Sequence, residues 1–183
     1  GGAGAQHQLA IDILTSLKTR LKCNGFIVRM MAGTKKEVAK EIATNIKKLG
    51  MQNLVGKNLF IDSYKDRPTY FKEFNKLIRK TDIMWTKPSE MSFYCALGMP
   101  IIMAPTIGSQ EDFNKTWLMY IGAGIEQADP KFTNEWLFDW IDSGGFARAA
   151  WNGYVEAPQH GSYRIEGIVT GNKMEVEELP MIV

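Results

Sequence analysis

The chain of 183 residues, 45% hydrophobic and 23% charged, is long enough to bury one substantial core. Its formal net charge of +2, without a Lys/Arg cluster beside aromatic residues, argues against a nucleic-acid partner. No apolar run approaches the roughly 20 residues that span a bilayer. Two cysteines without a CxxC pair argue against a structural zinc site, so we expect a metal-free domain in a reducing, cytoplasmic setting.

The chain begins with the glycine-rich segment Gly1-Gly2-Ala3-Gly4-Ala5, directly before a predicted helix. Glycine lets the backbone approach an anion closely, and the free N–H groups at a helix start point toward it. The segment predicts a phosphate-binding loop with Gly2 and Gly4 as contacts; the alternative is a flexible terminus or a cloning remnant. A loop of this kind follows a strand, so we expect a central strand ahead of Gly1 in a longer protein.

Helical and extended patterns alternate along the rest of the chain. Thr34 and Glu37 form a capping-box pattern before the second helix, and Pro68 suits the first turn of the third. Apolar residues at spacing four predict an amphipathic first helix: Leu9, Ile13, Leu17 and Leu21. The predicted helices cover 8–22, 35–49, 68–80, 89–97, 111–121, 133–142 and 145–156. The predicted strands cover 26–31, 58–64, 82–86, 101–104 and 125–127.

Alternation of this kind predicts βαβ units with right-handed crossovers. We expect an α/β fold over residues 1–156, with a doubly wound, Rossmann-like parallel sheet and helices on both faces. Residues 157–183 carry a weaker pattern that fits a strand, a helix or an extended tail. Because doubly wound sheets bind ligands outside the carboxyl ends of their strands, the loops at that edge are the expected site.

The turn Lys87-Pro88-Ser89-Glu90 lies between a predicted strand and a predicted helix. Ser89 is a suitable N-cap, and a helix N-terminus favours an anion. One interpretation is a diphosphate site in which the Ser89 hydroxyl and backbone amides donate and Lys87 adds a positive charge. The alternative is an ordinary cap in which Glu90 complements the helix dipole.

The segment 108–114 combines a glycine turn with hydrogen-bonding side chains. Gln110 and Asn114 are four residues apart and therefore share one face of a helix that begins near Gln110. Amides and carboxylates suit sugar hydroxyls because each hydroxyl both donates and accepts. We predict Gln110, Glu111 and Asn114 as sugar contacts; the alternative is a well-capped surface helix with acids in its first turn.

Other catalytic patterns are not found in the sequence. His7 and His160 lie near opposite ends without triad neighbours, and the acids form no isolated pair of the kind that a glycosidase uses. Neither a GxSxG elbow nor a P-loop occurs. Four aromatic residues fall at helical spacing and are predicted to belong to the core rather than to a stacking platform: Trp117, Trp136, Phe138 and Trp140.

Residues 82–124 run from strand to polar turn, then to a helix that ends Ala96-Leu97-Gly98-Met99-Pro100 and an apolar strand. The segment from Gln110 to Asn114 follows, and then a helix that ends Gly122-Ala123-Gly124. This order resembles the C-terminal domain of GT-B glycosyltransferases, the group of the peptidoglycan N-acetylglucosaminyl transferase and the plant galactolipid synthases. The glycine-rich segment and Ala147-Arg148-Ala149-Ala150 also resemble that family. The resemblance covers most of residues 1–156.

The resemblance implies that this domain binds a nucleotide-diphosphate sugar, most simply UDP-linked, within a metal-independent hexosyltransferase that needs no further cofactor. The implied diphosphate contacts are Gly2, Gly4, Lys87 and Ser89, and the implied ribose or sugar contacts are Glu90, Gln110, Glu111 and Asn114. The family's catalytic base lies in an N-terminal domain, so no catalytic residue is assigned and the acceptor is unknown. That domain also implies peripheral association with the inner face of a membrane.

Two positions depart from the family pattern. Phe93 stands five residues before Gly98, where the family has a glutamate that holds the donor ribose. Glu111 replaces the second amide of the family's Gln-Gln pair. Two alternatives therefore stay open: a non-catalytic nucleotide-binding or protein-interaction domain of the same fold, or a nucleotide-sugar epimerase.

Overall fold

A computed structural model describes residues 7–23, 25–89 and 91–171. The predicted contacts Gly2, Gly4 and Glu90 lie outside these residues. The helices are α1 His7–Lys22, α2 Lys36–Lys48, α3 Arg67–Ile78, α4 Met91–Ala96, α5 Ser109–Tyr120, α6 Thr133–Asp142, α7 Gly145–Glu156 and α8 Gly161–Thr170. The strands are β1 Val28–Gly33, β2 Leu59–Ser63, β3 Met84–Thr86, β4 Ile101–Met103 and β5 Gly124–Glu126.

The strands form two small parallel sheets, which confirms the α/β class predicted from the sequence. β1 pairs with β2, with Val28 opposite Leu59. β4 lies between β3 and β5, with Ile102 opposite Trp85 on one side and Ile125 on the other. Parallel strands joined through helices are consistent with a Rossmann-like fold, although the described strands are divided between two sheets.

Alternate residues of β4 contribute to two separate hydrophobic clusters. Ile102 belongs to a cluster that also takes side chains from α1, α2 and α6. Ile101 and Met103 belong to a second cluster, which takes side chains from α4 and α5. Since successive side chains of a strand point to opposite faces, helices cover both faces of β4. The aromatic prediction is confirmed, because Trp136 and Trp140 pack against the first cluster and Trp117 against the second.

Several predicted boundaries were wrong at helix ends. α2 begins at Lys36 and its N-cap is Lys35, without a side-chain capping bond, so the Thr34–Glu37 capping box does not form. The N–H of Lys35 instead donates to the carbonyl of Ala32, which closes a turn before the helix starts. At α3 the cap is Asp66, whose carboxylate accepts a hydrogen bond of 2.8 Å from the Thr69 amide.

The C-terminal segment of undecided structure contains α8, so residues 163–169 are helical. Among the residues that the structure describes, no helix combines the length and the apolar character needed to cross a membrane.

The two cysteines differ in environment, and this leads to a first testable prediction. Cys95 is 0% exposed, and burial raises the pKa of its thiol to about 11, whereas Cys23 is exposed. The thiolate is the reactive form, so at pH 8 we expect Cys23 to react with a chromogenic disulfide reagent at least about a hundredfold faster than Cys95. Absorbance should report one fast thiol in the folded protein and two in denaturant. Equal rates in the folded protein would contradict this placement.

Candidate functional site

A cavity lies beside the loops that follow β3 and β4. Its volume is about 350 Å³, within the range of small-ligand pockets. Because the strands are parallel, these loops leave the carboxyl edge of one sheet. The cavity is lined by Ser89, Ile107, Gly108, Ser109, Gln110, Glu111 and Asn114.

Four of the ligand contacts predicted from the sequence therefore line this one cavity. They are Ser89, which follows β3, and Gln110, Glu111 and Asn114, which belong to α5. Lys87 is not among the lining residues, although its ammonium group lies next to one of them. The two loops are distant in sequence, and the pairing of β3 with β4 brings them together.

Lys87 and Glu111 form an ion pair at the edge of the cavity. The distance from Lys87 Nζ to Glu111 Oε1 is 3.8 Å, and the two side chains are only 12% and 18% exposed. The other carboxylate oxygen of Glu111 accepts a hydrogen bond of 2.6 Å from the Ile107 amide. The carboxylate is therefore held by two partners, and much of the lysine charge is compensated within the protein.

Asn114 ties α5 to the turn after β3. Its Nδ2 donates a hydrogen bond of 2.8 Å to the Pro88 carbonyl, the residue just before Ser89. The Ser89 amide donates to the Lys87 carbonyl at 2.8 Å, which tightens the same turn. These bonds fix Ser89 opposite the start of α5. α4 spans only six residues and begins at Met91, so its dipole is smaller than the predicted helix 89–97 would have supplied.

The start of α5 forms the other wall. The twelve-residue helix follows Gly108, whose φ of 104° is a conformation that favours glycine. The carboxylate of Asp112 is turned back to the preceding loop, where it accepts a hydrogen bond of 2.5 Å from the Thr106 hydroxyl. Ser109 lines the cavity and was missed by sequence reasoning, although a glycine immediately before a serine at a helix start was a usable signal.

The groups in the cavity are two serine hydroxyls, two side-chain amides and one carboxylate, from Ser89, Ser109, Gln110, Asn114 and Glu111. All of them can exchange hydrogen bonds with a hydroxyl-rich ligand. Within residues 7–23, 25–89 and 91–171, no group of three or more His, Cys, Asp or Glu side chains is arranged to hold a metal ion. His160 is the N-cap residue before α8 and is not among the lining residues.

Comparison of this chain with protein-family models, with curated proteins and with solved structures found no match.

Proposed function

We propose that this chain is the donor-binding domain of a GT-B-type glycosyltransferase with a doubly wound sheet, and that the cavity holds a nucleotide-diphosphate sugar. The observation that carries this proposal is the convergence of Ser89, Gln110, Glu111 and Asn114 around one cavity at the carboxyl edge of β3 and β4. This edge is where open α/β sheets bind their ligands.

The two walls suit different parts of such a donor. Gln110 and Glu111 offer an amide and a carboxylate to sugar or ribose hydroxyls, which donate and accept at once. On the opposite wall Ser89 offers a hydroxyl that can donate a hydrogen bond to a diphosphate. In the proposed reaction this hydroxyl helps to stabilise the departing diphosphate, and the transfer needs no metal ion.

The charged side chains at the cavity restrict where a diphosphate can lie. The Glu111 carboxylate disfavours a phosphate beside it, and Lys87 is already paired with that carboxylate. A diphosphate would therefore lie on the Ser89 side of the cavity, with the sugar on the Gln110–Glu111 side. The acceptor and the general base belong to the part of the enzyme that supplies the other half of the active site.

Calorimetric titration with UDP, GDP and CDP tests the proposal. We expect one diphosphate to bind, and Ser89→Ala to weaken its affinity about tenfold, since one hydrogen bond to a charged group contributes roughly 1.5 kcal/mol. Ser162→Ala, at an exposed serine of α8, is the matched control and should leave the affinity unchanged. Failure of all three nucleotides to bind the folded protein would overturn the proposal.

A second candidate is a domain of the same fold that binds another ligand without catalysis. It is favoured by the residue at the expected ribose position, since Phe93 is 58% exposed and has no carboxylate for ribose hydroxyls. This candidate predicts that none of UDP, GDP and CDP binds more tightly than free ribose. The donor-domain proposal instead predicts that one of these nucleoside diphosphates binds much more tightly than ribose, so titration with ribose beside the three nucleotides separates the two.

A further inference from the structure

α8 is a helix that receives little support from the rest of the chain. In the part of the chain that the structure describes, no other helix or strand packs extensively against it, and its apolar side chains are half exposed or more. Its N-cap residue, His160, makes no side-chain capping bond. Its ten residues include Gly161 and Gly167, which disfavour a helix, and isolated helices of this length are marginal in water. The helix therefore needs a surface that covers it.

One side of α8 is an exposed apolar stripe. Ile165, Ile168 and Val169 stand at positions i, i+3 and i+4 and are all more than half exposed, so they form one surface, the α8 stripe. Glu166 flanks this stripe and is exposed. Among the described residues it has no ion-pair partner.

α7 carries a second exposed stripe with the same spacing. Trp151 and Val155 are more than half exposed and Tyr154 nearly so, and the three residues again stand at i, i+3 and i+4. This α7 stripe lies on the side of the helix opposite Gly153, where α7 passes against α4. Arg148, one turn before Trp151, is exposed and likewise has no ion-pair partner within the described residues.

The linker between the two helices keeps the two stripes of one chain apart. The Gln159 side-chain amide donates a hydrogen bond of 3.4 Å to the Ala96 carbonyl, and Ala157 is buried, so the linker is held against the end of α4. His160 then takes a left-handed conformation, with a φ of 59°, which turns the chain before α8 begins. α8 consequently leaves α7 instead of folding back along it, and both stripes stay uncovered.

We propose that two copies of the chain form a two-fold dimer in which the α8 stripe of each copy packs on the α7 stripe of the other. One chain carries both halves of this contact but cannot join them, whereas a second copy supplies each half to the other. Such a reciprocal contact is made twice and closes the dimer. Opposite charges flank the two stripes, since Arg148 lies beside the α7 stripe and Glu166 beside the α8 stripe, so these side chains pair across the interface.

The size of the surface fits a second copy. The six stripe side chains expose on the order of 600 Å² in each copy, and the flanking charged residues bring the area close to the roughly 800 Å² per partner of a standard interface. An apolar centre with a charged rim is also the usual arrangement of such interfaces. Burial of the α8 stripe supplies the support that α8 lacks in the single chain. The dimer does not depend on the proposed nucleotide ligand.

Sedimentation velocity over about 1 to 100 μM tests the proposal, because interfaces of this size dissociate at micromolar concentrations or below. We expect the unchanged chain to sediment as a dimer at the upper end of this range. Ile165→Ser should raise the dissociation constant at least about tenfold, since each dimer buries this isoleucine twice. Ile27→Ser is the matched control and should leave the constant unchanged, because Ile27 is 64% exposed against 65% for Ile165 but lies outside both stripes.

Charge reversal tests which surfaces meet. In a dimer of Arg148→Glu two glutamates face each other at both contacts, and in a dimer of Glu166→Arg two arginines do, so each variant alone should dissociate at least about tenfold more readily. In an equimolar mixture of the two variants every contact joins opposite charges. The mixture should therefore form a heterodimer about as tight as the dimer of the unchanged chain. Circular dichroism of each variant alone checks that it is folded.

A chain that stays monomeric over the whole range would overturn the proposal, because α8 would then be covered by its own chain or by a different partner. Assembly that grows past the dimer would contradict the closed, reciprocal contact. Equal effects of Ile165→Ser and Ile27→Ser on the dissociation constant would place the contact elsewhere and would also overturn it. So would a mixture of the two folded charge variants that associates no better than either variant alone.

Discussion

Replacement of Gly153 by valine is expected to lower the free energy of unfolding by about 3 kcal/mol, because α7 passes against α4 at this glycine. A Cβ atom at this position would lie 2.7 Å from the Cys95 carbonyl oxygen and 3.2 Å from the Ala123 Cβ. The first partner is backbone and cannot rotate away. The helices must therefore separate, which opens the cluster around Cys95 and Leu118.

Chemical denaturation followed by circular dichroism measures this effect. Gly161→Val, at the first residue of α8, is the control, because a Cβ there meets nothing within 4 Å. The control should shift stability by no more than about 0.5 kcal/mol. If both variants have the same denaturation midpoint as the unchanged chain, the close approach of α7 to α4 is not present in solution.

The regular part of the fold was predictable from the sequence because apolar periodicity is a local signal. The predicted helices 133–142 and 145–156 have the bounds of α6 and α7, and every predicted strand overlaps an observed one. Helix ends were less predictable. Pro68 suggested the start of α3, whereas the capping hydrogen bond at the start of the helix is accepted by the Asp66 carboxylate from the Thr69 amide. Thr34 and Glu37 are the residue types of a capping box, but the turn closed by the hydrogen bond from Lys35 to the Ala32 carbonyl moves the start of α2 to Lys36.

The division of the strands into two sheets was not predicted, since a single doubly wound sheet was expected. Sequence patterns assign residues to strands but do not say which edges pair, because strand pairing joins segments that lie far apart in the sequence. α8 was left undecided for a related reason. Ile165, Ile168 and Val169 stand at helical spacing, but all three are exposed in α8, so this helix does not follow from the burial of an apolar face.

The candidate site was predictable as a set of residues but not as a set of contacts. Ser89 and Gln110 were selected because polar residues follow strands, and the pairing of β3 with β4 does bring them to one cavity. The role foreseen for Lys87, a direct charge on the diphosphate, remains a prediction. Its ion pair with Glu111 joins residues on either side of β4, and no local pattern links two positions so separated in sequence.

The Lys87–Glu111 pair is the second place where a large effect is expected. With side chains 12% and 18% exposed, the two charges are largely removed from water and stabilise each other across 3.8 Å. Removal of one partner leaves the other buried without its counter-charge, which costs several kcal/mol when burial is complete. Allowing for the remaining exposure and the long separation, we expect Lys87→Met to lower the free energy of unfolding by about 2 kcal/mol.

Removal of both charges should recover most of that loss. Glutamine at position 111 keeps an oxygen that can accept from the Ile107 amide, so Lys87→Met combined with Glu111→Gln leaves no unpaired charge in the pair. We therefore expect the double variant to be at least about 1 kcal/mol more stable than Lys87→Met alone, as a coupled pair requires.

Urea denaturation of four proteins measures this coupling in a double-mutant cycle: the unchanged chain, Lys87→Met, Glu111→Gln and the double variant. Lys115→Met is the control, because its partner Glu126 is 59% exposed and a surface pair contributes less than about 1 kcal/mol. Strictly additive effects of the two substitutions at 87 and 111 would show that the Lys87–Glu111 pair does not act as a unit.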